Sequence, residues 1–98
     1  MKYHELKTWT KYYNELMSGK KTFEVRKNDR GFLVGDTLYL REYDPAFRIY
    51  TGRWSLWTIT YLVDLKEITD CNADVPYVVI SIKKTVLHKR SKRDIHVN

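Results

Sequence analysis

The side chains best suited to chemistry fall in one polar block, Gly19 to Arg30, which reads Gly-Lys-Lys-Thr-Phe-Glu-Val-Arg-Lys-Asn-Asp-Arg. Glu24 and Arg26 lie two positions apart, so on a strand their side chains project from the same face. With Lys21 and Arg30 they would line a cleft that recognises an anion and a base edge, because a guanidinium offers forked donors and a carboxylate offers acceptors. A solvated strand face followed by a charged turn explains the same residues, and the residue pattern alone favours that simpler interpretation.

Four further residues complete the predicted ligand-binding set: Lys7, Lys27, Asn28 and Trp54. Trp54 lies off the apolar stripe of its strand, so it would serve as a stacking surface for a base or as a cap at the strand end. His4 is expected to be a hydrogen-bonded structural residue rather than a catalyst. The set therefore predicts a polar ligand that also stacks on an aromatic ring.

Motifs of several other functional classes are missing from the sequence. The four glycines stand apart, at positions 19, 31, 35 and 52, which excludes a glycine-rich phosphate loop. One cysteine and three scattered histidines lack the spacing of zinc ligands, and no serine lies in a G-x-S-x-G context. We therefore predict no metal and no cofactor.

One amphipathic helix is predicted over residues 9–18. Apolar side chains recur there with helical spacing, at Trp9, Tyr12, Tyr13, Leu16 and Met17. Thr8 is the expected N-cap, and Gly19 is the expected residue at which the helix ends. Trp9 is expected to pack in the core, as is Trp57 further along the chain.

The rest of the chain has the alternating pattern of strands. Strands are predicted at residues 3–7, from 21 onward, at 37–43, at 57–63 and at 77–82, with a loop at 44–52 and irregular structure at 65–76. These elements predict an α+β domain: a small barrel of five or six mostly antiparallel strands, with the helix between the first two strands and plugging one open end. The expected core is Leu6, Tyr13, Leu16, Phe23, Val25, Leu38, Leu40, Ile59, Tyr61, Val78 and Ile80.

Length and charge bound the organisation of the chain. Its 98 residues fit one domain, predicted over residues 1–84, with a flexible basic tail at 85–98. Residues 83–98 hold six Lys or Arg side chains and one Asp, so most of the net charge of +6 lies at this end, where it would hold a phosphate backbone without selectivity. The single cysteine, Cys71, and the absence of a long apolar run favour a cytoplasmic protein with no membrane segment.

The order of the motifs resembles the ASCH family of the PUA-like superfamily. The resemblance rests on Gly-Lys-Lys-Thr-x-Glu-x-Arg from Gly19, on Val34-Gly35-Asp36-Thr37, and on Arg41-Glu42-Tyr43-Asp44. The opening His4-Glu5-Leu6-Lys7-Thr8-Trp9 and the closing segment at 77–83 are similar to a short bacterial and phage branch of that family. The resemblance covers residues 3–83 and implies a PUA-like β-barrel with a cleft beside the first helix, and RNA binding.

One ASCH branch consists of small amidohydrolases that remove an acyl group from N-acetylcytidine, which makes an enzyme the first alternative. Lys21 matches their catalytic lysine, Glu24 stands where they have a threonine, and Glu67 is only a loose match for their later glutamate. If the chain is an enzyme, Lys21 and Glu24 are the expected catalytic residues. A protein-docking adaptor is the second alternative, and the oligomeric state is left open. The preferred hypothesis is a module that binds RNA or a nucleotide-like ligand.

Overall fold

The computed structural model describes residues 2–69 and 76–85, and the predicted tail beyond residue 85 lies outside them. One curled, half-barrel-like sheet of five strands forms the body of the domain, in the order β1-β3-β4-β5-β2. The elements are β1 (Tyr3–Trp9), α1 (Thr10–Met17), β2 (Phe23–Lys27), β3 (Thr37–Asp44), β4 (Ile49–Asp64), α2 (Leu65–Ile68) and β5 (Tyr77–Lys84). Within these residues no helix is long and apolar enough to cross a membrane.

The strand count and the helix between the first two strands agree with the sequence-based expectation, whereas the strand directions are mixed. β1 runs parallel to β3, and the other three pairings are antiparallel. A parallel neighbour needs a long connection, and α1, β2 and the loop that follows provide it. The segment 65–76, expected to be irregular, begins with the short helix α2.

Helix α1 begins one residue later than predicted and without the predicted cap. Trp9 occupies the N-cap position, where no side-chain hydrogen bond caps the helix. Thr8 instead belongs to β1, and its side chain is buried. Gly19 ends the helix as expected: its φ is +83°, and its amide donates to the Leu16 carbonyl over 3.1 Å.

The core lies on the concave side of the sheet and includes most of the predicted residues. Fully buried side chains come from α1, β3, β4 and β5, and the apolar cluster comprises Leu6, Leu16, Phe32, Leu38, Leu40, Trp57, Ile59, Val78, Ile80 and Ile82. Tyr13 is also buried, beside this cluster. Phe32, which lies in the loop between β2 and β3, was not predicted, because a single aromatic residue in a polar loop has no periodicity to indicate burial.

The prediction that Phe23 and Val25 are core residues is wrong. Phe23 is 43% exposed and Val25 is 46% exposed, while Glu24 between them is 4% exposed. The register with β5 explains the reversal, because Glu24 is the partner of Ile80, whose side chain is completely buried. Directly opposed residues on antiparallel strands project to the same side, so Glu24 must face inward.

Two other predicted core residues lie at the surface. Tyr61 is 63% exposed because the pairing of β4 with β5 shifts between Ile59 and Tyr61, which turns Leu62 toward the core instead. Trp9 is 51% exposed because it ends β1 on the face opposite the buried Leu6 and Thr8. Trp57, by contrast, is buried as predicted.

The two edges of the described sheet, β1 and β2, approach each other and are joined by side chains. Arg26 on β2 donates from Nη2 to the Lys7 carbonyl of β1 over 3.0 Å. Arg30, in the loop after β2, donates from Nη1 to the Glu5 carbonyl over 2.7 Å. We call this junction of β1 with the segment 21–30 the seam. Two guanidinium groups thus satisfy backbone acceptors that an edge strand would otherwise expose.

Candidate functional site

A groove of about 590 Å³ opens along the seam. The end of β1 and the first turn of α1 form one wall, and the segment 21–26 forms the other. Its lining residues are Lys7, Thr8, Trp9, Tyr12, Lys21, Phe23, Glu24, Val25 and Arg26. The volume is that of a site for a small molecule or one nucleotide.

A charged triad, Lys21, Glu24 and Arg26, forms the floor of the groove. The Lys21 ammonium lies 3.3 Å from Oε1 of Glu24, and Nε of Arg26 lies 3.2 Å from Oε2 of the same carboxylate. The Glu24 side chain is only 6% exposed, against 18% for Lys21 and 25% for Arg26. Lys21 lies outside β2, so the alternation of faces along the strand does not keep it from Glu24. A nearly buried carboxylate is thus flanked on its two oxygens by two different cations.

Three aromatic rings stand around this triad with large parts of their surfaces in solvent. Trp9, Tyr12 and Phe23 are 51%, 44% and 43% exposed. The Lys21 ammonium lies 5.4 Å from the Tyr12 ring centroid and 5.1 Å from that of Phe23, so it also has cation–π contacts. Exposed rings beside a buried charged floor form a site for a flat ligand with a polar edge.

Of the predicted site residues, Lys7, Lys21, Glu24 and Arg26 line the groove together. Lys7 contributes the carbonyl that accepts from Arg26, while its ammonium lies 4.1 Å from the Tyr43 ring centroid. Arg30 lies further along the seam, on the Glu5 carbonyl, and does not line the groove. Four of the predicted residues thus lie along one groove, whereas Arg30 does not.

Lys27, Asn28 and Trp54 lie outside the groove. Lys27 is exposed on the face of β2 opposite Glu24 and Arg26. Asn28 has a structural role, because its amide donates to the Pro76 carbonyl and its side-chain oxygen accepts from the Phe32 amide. Trp54 projects from β4 on the side opposite the buried Ser55, and its ring lies 5.4 Å from that of Tyr39.

Glu67, the loose match for a third catalytic residue, is exposed in α2 and does not line the groove. Among residues 2–69 and 76–85, no three His, Cys, Asp or Glu side chains come together as metal ligands. The chemistry that the groove offers in this part of the chain is hydrogen bonding, charge and aromatic surface.

Sequence reasoning missed an ion pair between β3 and β4 in which the carboxylate is buried and the arginine is more than half exposed. Glu42 is 2% exposed and accepts from Nε and Nη2 of Arg53 over 2.7 and 2.9 Å. Nη2 of Arg53 also donates to Oδ1 of Asn14 in α1 over 2.8 Å. The hydrogen bonds from Arg53 hold the pKa of Glu42 at about 2, against the opposing effect of burial, with Thr51 adding a further donor. The pair fixes α1, and with it one wall of the groove, on the sheet.

His4 has the structural role predicted for it, in a second polar pair under the loop before β3. Its Nε2 lies 2.8 Å from Oδ2 of Asp36, and both residues are buried. The amides of Lys2 and Leu33 also donate to the Asp36 carboxylate. The hydrogen bond from His4 is the main cause that lowers the pKa of Asp36. The pair anchors the start of β1, whose far end carries the groove.

With this geometry established, comparison with known proteins gives the family. Residues 3–82 match the family described as a domain of unknown function, DUF3850. This chain belongs to the DUF3850 family. A relative from Escherichia phage P2, an uncharacterized 12.9 kDa protein in the GpA 3′ region, is 41% identical over 66 residues. That alignment covers 67% of this chain but only 59% of the phage protein.

A solved structure shares the fold of this DUF3850 domain. The crystal structure of hypothetical protein PH0355 aligns with a TM-score of 0.61 over 87% of this chain and over all of the other chain. The two sequences are 16% identical, so the likeness concerns the fold alone.

Proposed function

We propose that this DUF3850 domain is a PUA-like, ASCH-type module that binds RNA or a nucleotide-like ligand in the groove at the seam. The observation that carries the proposal is the charged floor of Lys21, Glu24 and Arg26 beneath three half-exposed rings. The sequence resemblance to the ASCH family supports the same ligand class independently. Most of the net charge of +6 belongs to residues 83–98 rather than to the groove, and it would add contact with a phosphate backbone.

The argument for a nucleotide begins with the aromatic wall. A base that stacks on one exposed ring gains about 1–3 kcal/mol, whatever its identity. Trp9 and Tyr12 belong to one wall of the groove and Phe23 to the other, so a base that enters between them is in reach of rings from both sides. The apolar faces of the base would then cover apolar ring surface that is now in water.

The charged floor supplies the polar part of the recognition. Glu24 uses two of its roughly four acceptor positions on Lys21 and Arg26, which leaves acceptors for the edge of a base. Lys21 and Arg26 keep N–H donors for base oxygens or for phosphate. A buried, preorganised polar floor favours a ligand that matches it, because a mismatched ligand leaves desolvated groups without partners.

The test is a titration with nucleoside monophosphates and short single-stranded RNA, followed by backbone amide chemical shifts. We expect the largest shifts at residues 7–12 and 21–26. Trp9→Ala should weaken binding at least about fivefold, since it removes a stacking surface worth 1 kcal/mol or more. Trp54→Ala is the matched control, because Trp54 is equally exposed, at 50% against 51%, but lies away from the groove.

Two results would contradict the proposal. If no nucleotide or RNA binds at millimolar concentration, the groove does not serve this ligand class. If the largest shifts fall around Trp54 and Tyr39, and Trp54→Ala abolishes them, the working surface is the outer face of the sheet. Nucleotide binding would then be reassigned from the groove to the exposed rings on that face.

A further inference from the structure

The order of donors and acceptors on the groove floor points to one base. Across the triad the sequence of groups is the Lys21 ammonium, then Oε1 and Oε2 of Glu24, then the Arg26 guanidinium. The Lys21 ammonium keeps N–H donors beside Oε1. The one Nε hydrogen of Arg26, by contrast, is used on Oε2, and its Nη2 donates to the Lys7 carbonyl and to Thr8 Oγ1. The floor therefore offers donor, acceptor, acceptor, and a complementary ligand edge must present acceptor, donor, donor.

Among the four RNA bases, guanine presents that edge. Its O6 accepts, and its N1–H and its exocyclic amino group donate side by side. Uracil has one ring N–H between two carbonyl oxygens, and cytosine has one amino group beside two acceptors. Adenine places the unprotonated N1 beside its amino group, which would direct a lone pair at the carboxylate. Glu24 would therefore gain a further donor on both oxygens from guanine and on one oxygen at most from the other three.

We propose that the groove is selective for guanine, with Glu24 accepting from N1–H and the amino group while Lys21 donates to O6. This inference rests on the proposed function, because it names the base that the same groove takes. The near-complete burial of Glu24 gives the selectivity its strength. Each hydrogen bond to this carboxylate is made with little competing water, so a ligand that lacks one donor binds less tightly.

The experiment compares guanosine monophosphate with inosine monophosphate on the unmodified chain by calorimetry. Inosine differs from guanosine by the loss of the amino group alone, so stacking, ribose and phosphate contributions are matched. We expect guanosine monophosphate to bind at least about tenfold more tightly, the ratio that corresponds to 1.4 kcal/mol for one lost hydrogen bond to a charged group. Adenosine, cytidine and uridine monophosphates should bind no better than the inosine compound.

Two variants test whether Glu24 causes the preference for guanosine monophosphate. Glu24→Gln replaces one acceptor by a donor and should abolish the preference for guanosine over inosine monophosphate, while stacking still gives weak binding to both. Glu5→Gln is the matched control, because the Glu5 carboxylate also pairs with an arginine, Arg41 at 3.2 Å, but lies on the outer face and is 59% exposed. It should leave the preference intact.

The outcomes separate this inference from the proposed function. Equal binding of all five nucleotides, with amide shifts in the groove, would overturn guanine selectivity and leave nucleotide binding in place. Binding of none would overturn both. If Glu24→Gln fails to fold, the comparison of guanosine with inosine monophosphate on the unmodified chain still decides the question. A preference for guanosine that persists in a folded Glu24→Gln variant would also refute the assignment to Glu24.

Discussion

Replacing Glu42 by Gln should lower the free energy of unfolding near neutral pH by about 2 kcal/mol. The pKa of this carboxyl is lowered from 4.5 to about 2, chiefly by the hydrogen bonds from Arg53. At 1.36 kcal/mol per unit, a shift of that size corresponds to about 3 kcal/mol. The Arg53 side chain is 55% exposed, so water screens part of the interaction and we expect the smaller value.

The sign of the pH dependence follows from the direction of the shift. Because the pKa of Glu42 is lower in the folded than in the unfolded chain, its stabilisation is fully present above about pH 4.5. It is lost as the pH falls from there toward 2, where the folded state also takes up the proton. Asp36 adds to the loss in the same direction, because its pKa is lowered too. Gln cannot titrate, so the difference in free energy of unfolding between the unmodified chain and Glu42→Gln should become smaller in acid.

The assay is urea denaturation followed by tryptophan fluorescence, at several pH values between neutral and about 2.5. Glu5→Gln serves as the control, because an exposed ion pair contributes at most about 1 kcal/mol. The difference between the unmodified chain and Glu42→Gln should fall with pH, while the Glu5→Gln difference stays small throughout. A Glu42→Gln difference that does not change with pH would refute the lowered pKa and the role assigned to Arg53.

Three further outcomes follow from burial and pairing. Phe23→Ala should lower the free energy of unfolding, measured by urea denaturation, by less than about 1.5 kcal/mol because Phe23 is half exposed, whereas Ile80→Ala should lower it by about 2–5 kcal/mol. Equal losses in the two variants would contradict the finding that Phe23 faces outward. Asp36→Ala should lower the free energy of unfolding by about 3 kcal/mol in the same assay, because it leaves His4 and two backbone amides without their acceptor. An unchanged stability would contradict this role of Asp36. Little cytidine should be released from N-acetylcytidine, because Glu24 accepts from Lys21 and, as a carboxylate, cannot donate the hydrogen bond of the threonine that the amidohydrolases have there, and turnover that disappears in Lys21→Ala would overturn this.

The sequence was sufficient to predict where the helix and strands lie and to identify four of the nine residues that line the groove. The stripe of apolar residues before Gly19 predicted α1, and the alternation in other segments predicted the strands, to within a few residues. The exception is β4, which begins at Ile49 rather than near Trp57. Lys21, Glu24 and Arg26 were grouped because they are close in sequence and because Glu24 and Arg26 share one face of β2, whereas Lys27 and Asn28, equally close, lie outside the groove. These predictions depend only on the types of residues that are close together in the sequence.

What the sequence did not show depends on pairing between distant strands. The alternation in β2 fits either face inward, and the apolar side is the natural choice until the register with Ile80 fixes Glu24 inside. The same holds for Tyr61, which faces outward only because of a bulge against β5. Glu42 and Arg53 lie 11 positions apart and look like ordinary surface charges until β3 and β4 pair.

The position of the groove follows from the way in which the sheet closes. In the described part of the chain the edges β1 and β2 are joined by arginine side chains, which are longer than a backbone hydrogen bond and hold the edges further apart. The space that this leaves is the groove, and its floor is polar because the Arg26 guanidinium bridges it. Glu24 is buried as the counter-charge of Arg26, since an inward-facing cation needs a partner. One feature of the fold thus accounts for the reversed face of β2, the charged floor and the site at which a ligand can enter.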